Sequence, residues 1–309
     1  MSKIQKALGL LQNDGGKNAA DEQKITRANE QRSSDVRYKR RHISQDEVAD
    51  EQAPEFDIAV DIEELMDHGL YPRDSELELV RQEFRRIKRP VLNIAFDMAV
   101  SDEQHANVVM LASALPNSGK TFCTVNLATS IARERDFGAV IVDADVLKPN
   151  ISQTLGLDDR RGLIDYLLDR SVTIDDILVG TDLYGIAVVP AGRQHEESTE
   201  LLASRRMKEL IHELAKRYQT RAIVVDTPPL LLTNEAHVLA AHMGQIVIVV
   251  EAGESPQEAT IQALSALDRS KPINAILNKA RNAAFGHYGV RDYGYYSTPE
   301  KGQRYGKDE

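Results

Sequence analysis

Residues 114–121 read ALPNSGKT and close on Gly119, Lys120 and Thr121, between an apolar β-type run and a helical pattern. This is the second half of the phosphate-loop pattern G-x-x-x-x-G-K-[ST], with Ala114 standing where the first glycine is usual. Backbone N–H groups at the start of the following helix are positioned to meet anionic oxygens, and the helix dipole favours negative charge there. In such a loop Lys120 neutralises β- and γ-phosphate oxygens and the Thr121 hydroxyl binds Mg²⁺. The plain alternative is a helix N-terminus carrying a fortuitous lysine. Two further runs end in carboxylates: AVIVDADVLKP supplies Asp143 and Asp145, and AIVVDTPP supplies Asp226. A carboxylate at the end of a buried strand needs a polar partner. Hydrated Mg²⁺ is one, since it takes one or two carboxylates together with phosphates and water. Capping of the next turn is the other reading.

These residues need a scaffold that brings several strand ends together. Apolar, β-branched runs occur at 107–113, 139–144, 185–190, 222–226, 245–252 and 273–278. Helical patterns lie between them near 119–134, 199–217, 234–242 and 256–268. Continuous apolar strands alternating with helices predict an α/β fold, a mostly parallel doubly wound sheet with helices on both faces. Ligands then sit at the carboxyl ends of the strands. Ahead of this region, Leu77, Val80, Phe84 and Ile87 recur at helical spacing and predict an amphipathic helix over 76–89.

The flanks differ in composition. Residues 1–75 read as a polar, mostly disordered region, with a short amphipathic helix at its start carrying Ile4, Leu8 and Leu11. Within it, residues 46–67 carry ten acidic groups and no Lys or Arg. The globular domain is expected over 76–280, and residues 281–309 as a flexible tail. That tail holds five Gly, one Pro and five of the chain's ten tyrosines: Tyr288, Tyr293, Tyr295, Tyr296 and Tyr305.

Composition excludes several classes. With 309 residues and a net charge of −10, the chain lacks the basic surface of a general nucleic-acid binder. The single cysteine, Cys123, excludes an internal disulfide framework and a multi-cysteine zinc site. His195 and His237 have no companions at metal-ligand spacing and receive no metal role. No apolar run reaches the roughly 18–20 residues needed to span a bilayer, and the start lacks a signal-peptide layout. A cytoplasmic location is therefore expected.

The motifs together resemble one family. Residues 107–279 are similar to the kinase domain of the bacterial protein-tyrosine kinases (BY-kinases) of capsule and exopolysaccharide synthesis, P-loop NTPases of the deviant Walker class. The family's loop S-x-x-P-x-x-G-K-T is met by Ser113, Pro116, Gly119, Lys120 and Thr121. Its Asp-x-Asp strand end and its I-V-D-T-P-P strand end are met by IVDADVLKP and VVDTPP. The helix TELLASRRMKEL resembles the family's E-L-L-S helix, with Glu197 and Ser198 where Asn-Pro is common. The start MSKIQKAL and the polar linker resemble the stand-alone branch found with exosortase-type loci.

The resemblance implies ATP and Mg²⁺ as cofactors, with ATP seated on Pro116, Asn117, Ser118, Gly119, Lys120, Thr121 and Phe122. It implies that Lys120, Asp143 and Asp145 are catalytic, Asp143 as the base for the incoming phenol. Thr121, Asp145 and Asp226 would hold the metal, and Asn278 resembles the residue that recognises adenine in related ATPases. The five tail tyrosines become the phosphoacceptors of an autokinase regulating exopolysaccharide polymerisation or export. Glu83, Arg86 and Arg89 fit an E-x-x-R-x-x-R motif that contacts the neighbouring subunit of a ring. The implied partners are a homo-oligomer that dissociates on phosphorylation, a separate membrane-embedded polysaccharide co-polymerase as activator, and protein tyrosine substrates; the location is peripheral to the inner membrane through that partner. Two alternatives stand beside this. A partition or cell-division positioning ATPase usually carries an extra lysine early in the loop, which residues 114–118 lack. A non-catalytic nucleotide-binding scaffold would have no use for the tyrosine tail.

Overall fold

The computed structural model describes residues 56–96 and 105–280. The apolar runs form the strands β1 (Val108–Ala112), β2 (Gly138–Asp143), β4 (Ala187–Val189), β5 (Arg221–Asp226), β6 (Gln245–Glu251) and β7 (Ile273–Asn278), joined by a two-residue β3 (Val179–Gly180). The sheet order is β3-β4-β2-β5-β1-β6-β7, and every pairing is parallel except β3 with β4. The helices are α1 (Ile62–Asp67), α2 (Asp74–Ala95), α3 (Lys120–Ala132), α4 (Asn150–Thr154), α5 (Leu163–Leu168), α6 (Ile174–Ile177), α7 (Ser198–Leu202), α8 (Arg205–Arg217), α9 (Asn234–Ala240) and α10 (Gln257–Ser265). The expected mostly parallel, helix-covered sheet is what forms.

The two-residue period of a strand explains why the runs are continuously apolar. In β1, Val108 and Met110 join a core with α5, α8 and α9, while Val109 and Leu111 join one with α1, α2 and α3. All five β1 side chains are fully buried. A strand covered on both sides has no face left for polar residues. In β2 and β5 the carboxylates Asp143 and Asp226 appear only at the carboxyl ends, and those ends form the site.

Three local differences from the sequence expectations have physical causes. Residues 56–73, expected within the polar N-terminal region, pack on the domain. Ile58 forms a parallel bridge to Thr181, and Leu65, Leu70 and Tyr71 are buried. The acidic residues that obscured this pattern serve the backbone: Asp61 caps α1, and Asp57 accepts from the Gly180 N–H at 2.8 Å. The predicted helix over 76–89 extends to Ala95, passing through Pro90. The predicted helix over 199–217 is two helices, because Ser204 N-caps the second by accepting from the Met207 N–H. The N-terminal helix and the tyrosine tail lie outside the described residues.

Candidate active site

Strand β1 ends at Ala112 and α3 begins at Lys120, so residues 113–119 turn tightly at the carboxyl edge of the sheet. The Ser113 and Ser118 hydroxyls both donate to the Leu115 carbonyl, at 2.7 and 3.1 Å. Gly119 has φ +84°, a left-handed conformation in which other residues are strained. A Cβ there would also overlap the Asn278 amide, which packs on Gly119 and donates from Nδ2 to the Ser118 carbonyl at 2.9 Å. Lys279, the next residue, donates to the Asn117 carbonyl at 2.7 Å and pairs with Glu251 at 3.0 Å. The end of β7 thus braces the loop from outside. Gly119→Ala is expected to cost about 1–2 kcal/mol from backbone strain alone and to displace Asn278. Thermal unfolding and nucleotide titration of the variant check this, through a lower midpoint together with weakened binding.

Three carboxylates meet the loop. Asp226, at the end of β5, accepts from the Thr121 hydroxyl at 2.7 Å, and the Thr124 hydroxyl lies 3.1 Å from its other oxygen. Asp143 is opposite Asp226 in the β2–β5 register. Its Oδ2 accepts from the Ser152 N–H and hydroxyl, at 2.9 and 2.7 Å, while its buried Oδ1 has no protein partner. Asp145 follows on the loop after β2 and accepts from the Lys148 N–H at 3.3 Å. Lys120 is buried beside them.

Burial, and then the charge of Asp226, push Asp143 up to about 8 and Asp145 up to about 6. Burial also raises Asp226, although Lys120 and the two threonine hydroxyls oppose the shift. Raised carboxyl values mean that the folded protein holds protons that the unfolded chain has released. Stability is then fully present below the ordinary aspartate pKa of about 4 and is lost as pH rises through the folded values. We expect denaturant unfolding of the nucleotide-free protein to show a loss on the order of a few kcal/mol between about pH 4 and pH 8. Asp143→Asn should flatten the upper part of that slope.

The Asp145 and Asp226 carboxyl groups and the Thr121 hydroxyl form an oxygen-rich donor set that suits a hard cation such as Mg²⁺. Among the described residues no three His, Cys, Asp or Glu side chains form a self-contained metal site.

Of the residues singled out in the sequence, Asn117, Ser118, Gly119, Lys120, Thr121, Asp226 and Asn278 are linked directly or packed together in one region, with Asp143 and Asp145 beside them. Pro116 is exposed on the loop. The Phe122 ring instead meets Phe84 edge-on at 6.2 Å, so only its backbone serves the helix start. Glu83, Arg86 and Arg89 are exposed on α2. The tail tyrosines lie outside the described residues. Three contributors were missed. Thr124 was detectable, since it lies one helical turn after Thr121 on the same face. Ser152 comes from a helix too short to show a period, and Lys279 was hidden behind Asn278. Cys123 is fully buried, and burial pushes its thiol up to about 12, as for a small apolar side chain.

No protein-family model matches the chain. Among curated proteins it is 29% identical over 216 residues to a tyrosine-protein kinase of Bacillus subtilis, YwqD, covering 68% of this chain and 87% of that one. It is 27% identical to the putative tyrosine-protein kinase CapB of Staphylococcus aureus, covering 71% of this chain and 94% of that one. The match to the tyrosine-protein kinase Wzc of Salmonella typhimurium, at 29% identity, covers 73% of this chain but 29% of that longer protein. Of solved structures, the kinase domain of Escherichia coli tyrosine kinase ETK superposes with a TM-score of 0.54 at 24% identity, over 68% of this chain and 79% of that one. The chimerical protein CapA2B2 superposes with a TM-score of 0.55 at 20% identity, over 75% and 98%. At these identities the structures show the shared fold, while the curated relatives carry the activity. Sequence relatives and fold agree: the chain is similar to bacterial tyrosine-protein kinases in sequence and shares the fold of their kinase domains.

Proposed function

We propose that the chain transfers the γ-phosphoryl group of ATP to tyrosines of its own C-terminal segment, and that this regulates exopolysaccharide polymerisation or export. The observation that carries the reading is the convergence of Lys120, Thr121 and Asp226 at the start of α3, with Asp143 and Asp145 at the neighbouring strand end. Backbone N–H groups of residues 117–122 hold the phosphates, with Pro116 shaping the loop, and buried Lys120 faces the transferred group. Thr121, Asp145 and Asp226 hold Mg²⁺, which when bound neutralises charge on the phosphate oxygens. Asp143 offers its unpartnered Oδ1 to the tyrosine O–H. The phenolic oxygen bonds to phosphorus as the bond from phosphorus to the β,γ-bridging oxygen breaks, and the phenolic proton passes to Asp143. Only the ionised form of Asp143 takes that proton, so with its pKa raised to about 8 the transfer quickens as pH rises through that value.

The acceptors are Tyr288, Tyr293, Tyr295, Tyr296 and Tyr305, in a segment that also carries five glycines. Asn278, already against Gly119, is the adenine-side candidate. Glu83, Arg86 and Arg89 form the surface that meets a neighbouring subunit. Each phosphate adds about −1.5 to −2 charges, so several on one tail oppose its docking and loosen the ring. Among the described residues no helix is long and apolar enough to cross a membrane. A separate membrane-embedded co-polymerase is the proposed activator and tether, in the manner of the stand-alone, exosortase-associated branch.

Incubation of the purified chain with ATP and Mg²⁺, with and without a cytoplasmic activator segment, should yield phosphotyrosine detectable by antibody. ATP consumption with no labelled tyrosine under either condition would overturn the autokinase reading in favour of a positioning ATPase.

A further inference from the structure

At the far end of α3 from the phosphate loop, α2 and α3 enclose a cleft of about 260 Å³. Thirteen helical residues span roughly 20 Å, so this cleft is separate from the nucleotide site. Its apolar wall includes Val80 and Phe84, with the Tyr71 ring beside them. Its polar wall is basic, in a protein whose net charge is −10. Lys88 is already committed: its ammonium donates to the Ser130 carbonyl at 2.5 Å and pairs with Glu134 at 2.9 Å. It thereby offsets the negative end of the α3 dipole, which otherwise disfavours an anion. Arg85 faces Glu78 at 3.7 Å. Arg81 and Arg133 have no carboxylate partner within ion-pair distance among the described residues. Arg133 lies over the Tyr184 ring, 5.3 Å from its centre.

Two buried polar atoms in this wall lack protein partners, Nε of Arg81 and the hydroxyl oxygen of Thr129. Thr129 as a residue is 5% exposed. Buried donors without partners are costly, and an acceptor-rich anion satisfies both. The volume is below the roughly 300–1,000 Å³ of sites for drug-sized ligands, so it suits one side chain better than a nucleotide. An apolar, aromatic wall beside guanidinium groups matches an aryl ring carrying a phosphate. We propose that this cleft binds a phosphotyrosine side chain, making the kinase a reader of its own product. The inference rests on the tyrosine-phosphorylation reading above. The arginine-cluster mode is the general one for phosphorylated peptides.

The test uses the full chain, treated with phosphatase so that its own tail does not compete. Calorimetric titration compares a peptide of residues 291–298 phosphorylated on Tyr295 with its unphosphorylated form, phenyl phosphate and inorganic phosphate. The phosphopeptide should bind at least about tenfold more tightly than the unphosphorylated peptide or inorganic phosphate, and Arg133→Gln should weaken it by about tenfold. Thr129→Val removes only the unpartnered hydroxyl, so it should weaken binding while leaving the unfolding midpoint of the ligand-free protein unchanged or raised. Equal binding of both peptides, inorganic phosphate binding as tightly as the phosphopeptide, or indifference to both substitutions overturns the proposal. If the wild type labels its tyrosines yet this binding is absent, only the cleft inference fails. If phenyl phosphate binds at the cleft but no tyrosine is ever labelled, the autokinase reading fails and an aryl-phosphate site remains.

Discussion

Replacing Lys120 with methionine is expected to lower phosphotyrosine formation by about 10²- to 10³-fold, the usual cost of removing a preorganised electrostatic contact to a transition state. The loss should appear mainly in kcat. Phosphoryl transfer demands little covalent chemistry of the protein and much neutralisation of charge on the equatorial oxygens. Lys120 is buried, so its charge acts where water screens it little. Methionine keeps the length and apolar stem, so packing of α3 should survive. A second consequence separates this change from simple unfolding. The Lys120 charge opposes the upward shift of Asp145 and Asp226. Without it both carboxyls rise further, and the fall of stability with pH should steepen. Single-turnover kinetics with denaturant melts at pH 5 and pH 8 check both halves.

Asp226→Asn is expected to reduce turnover by about 10²-fold or more and to raise the Mg²⁺ concentration needed for half-maximal rate. Asp226 is 1% exposed and joins Thr121, Thr124 and the Lys120 charge in one network. Asparagine preserves the shape and one acceptor, and its NH₂ can donate to the other hydroxyl. The fold should persist, and removing a buried carboxylate should stabilise the nucleotide-free protein at neutral pH and above. What disappears is the negative charge that holds the cation and positions Thr121. Turnover measured across a Mg²⁺ series reads this directly; unchanged rate and unchanged Mg²⁺ dependence would contradict the assignment.

The parallel sheet was legible because burial on both faces leaves a strong mark, seen in β1, β5 and β6. The loop and the three strand-end aspartates were legible because charge is rare at such positions. Tertiary roles left weaker marks. The acidic segment before α1 looks solvated in sequence, yet Asp57 and Asp61 work as backbone acceptors while Leu65, Leu70 and Tyr71 turn inward. Ser152 supports Asp143 from α4, a five-residue helix with no readable period. Lys88 resembles one more surface charge on an amphipathic helix, but it is buried against the end of α3. Such residues are defined by what lies across the fold, and spacing along one element does not encode that.

The most direct test of the account is residue-level mapping of phosphate by mass spectrometry after incubation with ATP and Mg²⁺, beside the Lys120→Met protein. The account predicts phosphate on tyrosines between 288 and 305 in the wild type and its near absence in the variant. Phosphate confined to other positions, or equal labelling of both proteins, would contradict it.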